Sequence, residues 1–166
     1  MDNEQTCIFI GHRIIPRASI QPLITRLDSA IESLVKQNVT TFISGGALGF
    51  DLVASALVVF KKERYRHIRL CFALPCREAT RYWRDDQKRF LQQLQAEADR
   101  TIYVSEQHQI DCVEKQRRYL VDHAAYCLCA LLKPSAGIEQ TLDYAKERKV
   151  RLIDIAERSW LIDKAE

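Results

Sequence analysis

Short apolar runs rich in β-branched residues alternate along this chain with segments whose apolar residues recur every three to four positions. The first run, TCIFI (6–10), closes at Gly11. From Ile20 onward, Leu23, Ile24, Leu27, Ile31, Leu34 and Val35 follow helical spacing, with Arg26, Asp28, Glu32 and Lys36 on the other side. VTTFIS (39–44) reads as the second strand, and 51–63, apolar almost all round until Lys61, as a helix buried beside the sheet. IRLCFAL (68–74) is a third strand, closed by Pro75. A long charged surface helix over 79–98, a short strand TIYVS (101–105) and a helix over about 111–122 follow. AAYCLCALL (124–132) is a continuous apolar run of the kind a doubly covered strand needs. After the loop KPSAG come a helix over 138–148 and a last strand, VRLIDI (150–155).

Strand–helix alternation of this kind predicts an α/β, Rossmann-like fold: a mainly parallel sheet with helices on both faces, joined by right-handed crossovers. A chain of 166 residues fits a single domain, here taken as 1–166, with a core large enough to need no staples. In such sheets ligands bind beyond the carboxyl ends of the strands, where strand order reverses. That rule places four loops on one rim: 11–18, 44–50, 75–79 and 133–137.

Composition removes several classes of function. No stretch approaches the ~18–20 uninterrupted apolar residues of a membrane helix, so no membrane partner is expected. The polar, acidic start MDNEQTCIFIGHR is unlike a secretory signal, and a cytoplasmic location is expected. A net charge of +3 gives no strong reason to expect nucleic acid. The six cysteines include no C-x-x-C pair, so no metal site is expected. Cys7, Cys71, Cys127 and Cys129 fall in strand-like runs, where free cysteine packs as a small hydrophobe.

The stretch SGGALGFD (44–51) sits on that rim and holds three of the five glycines. Glycine reaches positive φ at little cost, and the following helix offers unpaired N–H groups to an anion. The pattern is neither G-x-G-x-x-G nor a P-loop, since the P-loop lysine is missing. Two readings remain: a backbone cradle for phosphate, or a tight turn that relieves crowding between helix and strand. Asp51 has a similar pair of readings. It either caps the helix or faces a ribose hydroxyl or sugar carbon, because beside a phosphate an anion would be repelled.

FIGHR (9–13), SGGALGFDLVA, the Leu74-Pro75-Cys76 segment followed by Trp83, RRYLVDHA (117–124) and TLDYAK (141–146) occur in an order that resembles the YpsA-like branch of the SLOG (SMF/DprA–LOG) superfamily. The resemblance covers nearly the whole chain. It implies a Rossmann-like domain that binds a nucleotide or nucleotide-derived ligand, such as an ADP-ribose-type molecule. The related LOG enzymes are phosphoribohydrolases, and the DprA relatives bind single-stranded DNA. By this resemblance the glycine loop falls on Ser44, Gly45, Gly46 and Gly49, and the acidic position on Asp51. The first-strand loop falls on Gly11, His12 and Arg13, the aromatic position on Trp83 and the fifth-strand loop on Gly137. Two positions depart from the family pattern: Gln116-Arg117 stands for Arg-Asn, and Ala136-Gly137-Ile138 for Gly-Gly-Thr. The LOG signature P-G-G-x-G-T-x-x-E is absent, so LOG catalysis is not inherited by motif.

The remaining candidates each carry a plain alternative. His12, Arg13 and Arg17 supply positive charge beside the glycine loop, or form an exposed basic loop. Trp83 stacks a base, or anchors its helix to the core. The basic residues over 77–89 alternate with acids, as on a solvated helix face. Cys76 is the one cysteine on the rim, with packing the expected role, and His108 and His123 have no partner at ligand or triad spacing. The leading expectation is a binding module for a small nucleotide-type ligand, acting as a sensor or regulator. A nucleoside-phosphate glycosidase or nucleotide-derivative hydrolase, with Asp51 stabilising the cationic sugar or activating water, and DprA-like binding of single strands, stay open. Edge strands and apolar helix faces leave a homodimer open as well.

Overall fold

In the computed structural model, residues 3–156 are described, and the ends of the expected 1–166 domain, 1–2 and 157–166, lie outside them. The apolar runs pair as six parallel strands in the order β4-β3-β2-β1-β5-β6. The strands are β1 (Thr6–Gly11), β2 (Thr41–Ser44), β3 (Arg69–Leu74), β4 (Arg100–Tyr103), β5 (Tyr126–Ala130) and β6 (Arg151–Asp154). The helices between them are α1 (Arg17–Lys36), α2 (Phe50–Lys62), α3 (Asp85–Glu97), α4 (Cys112–Asp122) and α5 (Ala136–Glu147). This is the Rossmann-like α/β architecture that the alternation predicts.

The sheet divides the core in two, because successive strand residues point to opposite faces. Cys7, Phe9, Phe42, Leu70, Phe72 and Leu128 point to one side, where α1, α2 and α3 cover them. Ile8, Ile10, Ile43, Cys127 and Cys129 point to the other, under α4 and α5. Phe9 and Phe42, neighbours on adjacent strands, stack with ring centroids 6.0 Å apart. Each such fully buried side chain contributes about 1.5–3 kcal/mol through removal from water. The stripe read from the sequence of α1 is the buried one, through Leu23, Leu27, Ile31, Leu34 and Val35. Lys61, at the end of α2, is buried too and pairs with Glu32 and Asp28 of α1.

Two helix starts differ from the sequence reading by three residues or more. The helix expected over 79–98 begins only at Asp85, and turns occupy 77–83. The Arg84 N–H donates to Gln87 Oε1 at 3.0 Å, and Asp85 and Asp86 lie in the first turn, where the helix dipole favours acids. Those residues fix the start, so Trp83 sits in the turn before the helix and packs half-buried against the core. The first helix, in contrast, starts earlier than Ile20, at Arg17, directly after Pro16.

Strand order reverses between β1 and β5: the chain runs outward from β1 through β2 to β4, then crosses to β5 and β6. Register pairs Gly11 with Ala130, so the loops that leave these two strands start side by side. A crevice is therefore expected between the loops after β1, β2 and β5.

Candidate functional site

Backbone contacts draw these three loops together. The Phe50 N–H donates to the His12 carbonyl at 3.0 Å, which ties the start of α2 to the β1 loop. His12, itself buried, accepts the Leu132 N–H on Nε2 at 3.0 Å and so ties the β1 loop to the β5 loop. Its ring is held neutral: burial, then the nearby Lys133 charge, pushes its pKa below the usual histidine value. His12 thus acts on the loops around it, and the positive charge in the crevice comes from arginines.

The glycine loop answers its two readings differently at each position. Gly49 has φ 79°, and a Cβ there would lie 2.3 Å from the Arg13 carbonyl oxygen, so the close seam between loops demands glycine. Gly46, at φ 70°, would meet the Leu74 side chain at 2.3 Å. Several loop amides are already engaged. Gly46 N–H donates to Ser44 Oγ at 3.1 Å, and Ala47 N–H to Asp51 Oδ2 at 3.3 Å. Gln116, buried on α4, holds the loop from beneath, with Nε2 donating to the carbonyls of Gly45 at 2.7 Å and Ala73 at 2.8 Å.

Asp51 does not occupy the capping position. Gly49 is the N-cap, and Asp51, the second residue of α2, turns its carboxylate back to the Ala47 amide. Only 8% of its surface is exposed. Burial pushes its pKa up to about 7, against the Ala47 hydrogen bond and the charges of Arg117 and Arg13. Among the described residues no cation lies within ion-pairing distance of it, and neither arginine is paired elsewhere. Burial, then the like charge of Arg13, lowers the pKa of Arg117 in turn.

Two adjoining hollows result. One, of about 190 Å³, lies over the switch point and is lined by Gly11, His12, Arg13, Asp51, Gln116 and Arg117 among others. The other, about 70 Å³, lies between the glycine loop and Trp83, and shares Arg13, Ala47 and Gln116 with the first. Of the residues singled out in the sequence, Gly11, His12, Arg13 and Asp51 line the first hollow, and Gly45, Gly46 and Trp83 the second. Ser44 and Gly49 lie beneath the loop and hold its shape. Gly137 lies directly against the Arg117 guanidinium, 2.6 Å from where its Cβ would stand, and both line a third hollow. The start of α5 is closed by its own side chains: Ser135 Oγ accepts the Ile138 N–H, and the Ser135 N–H donates to Glu139. Glu139 is therefore a capping residue.

Sequence reasoning treats Gln116 and Arg117 as departures from a pattern and misses what they do. The signal is present: Cys112, Gln116 and Leu120 form the buried stripe of α4, and a glutamine in such a stripe needs partners. That reasoning also finds His108 alone, whereas the structure places it beside Cys76 and Cys112. Cys76 is buried rather than reactive, and burial raises its thiol pKa. His123 stacks on Tyr119 at 4.0 Å and bonds that residue's carbonyl through Nδ1.

Comparisons with known proteins agree with this architecture. The chain is 30% identical over 135 residues to the uncharacterized SPbeta prophage-derived protein YoqJ of Bacillus subtilis (strain 168), covering 74% of this chain and 79% of YoqJ. Its fold is similar to that of the DNA processing protein A (DprA) of Streptococcus pneumoniae, with TM-score 0.66 at 13% identity over 90% of this chain; the chain spans 49% of that protein. DprA of Helicobacter pylori, whose structure concerns its single-stranded DNA binding mode, gives TM-score 0.66 at 16% identity over 99% of this chain and 74% of its own. Among the described residues no helix is long and apolar enough to cross a membrane. The family described as the YspA SLOG family, YpsA, matches residues 15–155, and the chain belongs to it.

Proposed function

We propose that the chain binds a phosphorylated nucleoside or nucleotide-derived ligand, of the ADP-ribose, NAD or nucleoside-monophosphate class, as a sensor or regulatory module. The observation that carries this reading is the convergence of Arg13 and Arg117, unpaired among the described residues, on the buried carboxyl of Asp51 at the switch point. The guanidinium groups suit bidentate contact with a phosphate, which supplies the negative charge they lack. Asp51, part-protonated near neutral pH, is placed to meet a sugar hydroxyl without repelling that phosphate. The hollow beside Trp83 offers an aromatic edge for a base.

Calorimetry with ADP-ribose, AMP and NAD tests the proposal. Binding by the parent chain, weakened about 10- to 100-fold in Arg117→Met, is the expected result. Folded protein that ignores all three at millimolar concentration overturns it. Release of free base during the titration, abolished in Asp51→Asn, would make the site a glycosidase instead. The single-stranded DNA binding of the Helicobacter neighbour motivates a second reading. An added oligonucleotide arm supports that reading only if affinity falls steeply with salt.

A further inference from the structure

The β3 loop and the start of α4 bring three soft-metal donors together outside the crevice. Cys76 follows β3 by two residues, Cys112 opens α4, and His108 precedes Cys112 by four. The two Sγ atoms and one imidazole nitrogen all lie within 4.8 Å of one another, with Cys112 Sγ to His108 Nδ1 at 4.0 Å. Both thiols are buried, and the imidazole beside them is exposed.

We propose that Cys76, His108 and Cys112 form a binding site for a thiophilic divalent cation, zinc above all, with a fourth position open to water or another donor. Tetrahedral zinc, at ~2.3 Å from sulfur and ~2.0–2.1 Å from nitrogen, requires donor atoms about 3.4–3.8 Å apart. The observed spacing is wider by at most about 1–1.4 Å, within the reach of a loop histidine. Two thiolates and a neutral imidazole are the ligand set that zinc prefers over magnesium or calcium. A cation that displaces the protons of these two neighbouring buried thiols converts them into ligands. The consequence reaches the crevice. Pro75, Ala79 and Thr80 of the loop that carries Cys76 line the hollow beside the glycine loop, and Gln116 lies one turn beyond Cys112. A metal there staples two walls of that hollow, independently of which ligand the crevice takes.

The test uses the full chain under reductant, titrated with cobalt(II) and then with zinc. One equivalent of cobalt should produce thiolate charge-transfer absorption and strong tetrahedral d–d bands, both erased by zinc. His108 is exposed, so His108→Ala leaves folding intact; it should weaken zinc binding by at least about tenfold and alter the d–d bands. Cys76→Ser, which leaves one thiolate of two, should remove about half or more of the charge-transfer intensity, and His67→Ala, at an exposed histidine outside the cluster, should change nothing. Absence of charge transfer in folded, reduced protein overturns the site. So does unchanged affinity in His108→Ala, or a protein that forms a Cys76–Cys112 disulfide on oxidation and takes up no cobalt when reduced.

Discussion

Helix α2 carries a buried charge at each end, and the two are treated in opposite ways. At its C-terminal end Lys61 donates to Glu32 at 2.9 Å and lies 3.0 Å from Asp28. Glu32 also accepts from Tyr65 and lies 3.5 Å from Arg64. The hydrogen bonds from Lys61 and then Tyr65 hold the Glu32 pKa down at about 2. At the N-terminal end Asp51 has one backbone donor and no cation within ion-pairing distance among the described residues, and burial holds its pKa up at about 7. A carboxylate that folding alone required would be paired with cations like the half-buried Glu32. The carboxylate without a paired cation among the described residues sits where three loops meet and two arginines approach. An end left incomplete by the fold is an end that a ligand can complete.

The comparison breaks first if the N-terminal end loses its shape. Gly49→Val puts a branched side chain at φ 79° against the carbonyls of His12 and Arg13. Neither backbone can yield without parting the β1 and β2 loops, so a loss of about 4 kcal/mol or more is expected in urea unfolding. A well-folded variant with parent stability would show that the seam is soft, and the rigid crevice inferred from it would go too.

How much of this is readable from the sequence follows from the range of each interaction. Strands and most helices are legible because their signal, a period of 2 or 3.6 in apolar residues, is local. The helix at 79–98 is misread because ATRYWR is compatible with a helix, whereas its true start depends on the Arg84–Gln87 bond and the acids behind it. The glycine loop is legible as a loop, but not the division of its roles. That Gly49 serves a seam with Arg13 depends on a contact 36 residues away in sequence. The union of Cys76 with Cys112 crosses β4 entirely, and no spacing rule covers such a separation.

The next test removes the charge that has no ion-pair partner while keeping its shape. Burial raises the folded-state pKa of Asp51 above that of an unfolded carboxylate. Its protonated form therefore favours folding fully below the usual ~4, and that contribution is lost as pH rises through about 7. The uncharged amide introduced by Asp51→Asn mimics the protonated acid at every pH. The variant should then be more stable than the parent by about 2–3 kcal/mol at pH 8, with the gap closing toward pH 4. It should also change the affinity for the proposed nucleotide-type ligand, so that a stability gain comes at the expense of that binding. A gain independent of pH, or none, would mean that Asp51 is better solvated than its burial implies.

The smallest effect is expected at the satisfied end, and there the sign reverses. Glu32 has a folded-state pKa below its unfolded value, so it stabilises above about 4.5 and loses that contribution as pH falls toward 2. Its side chain is 21% exposed, and water shares in the solvation of its partners, so the full shift overstates the energy. Glu32→Gln keeps an oxygen for Lys61 and Tyr65, and Lys61 keeps Asp28, so a loss of about 1 kcal/mol at pH 7 is expected. Thermal melts of the two proteins should converge between pH 4.5 and 2, while the Asp51 pair diverges only as pH rises toward 8. Opposite pH slopes from two carboxylates contacting one helix are what separate a charge held for the fold from one left open to a ligand. Parallel slopes would erase the distinction between the two ends of α2.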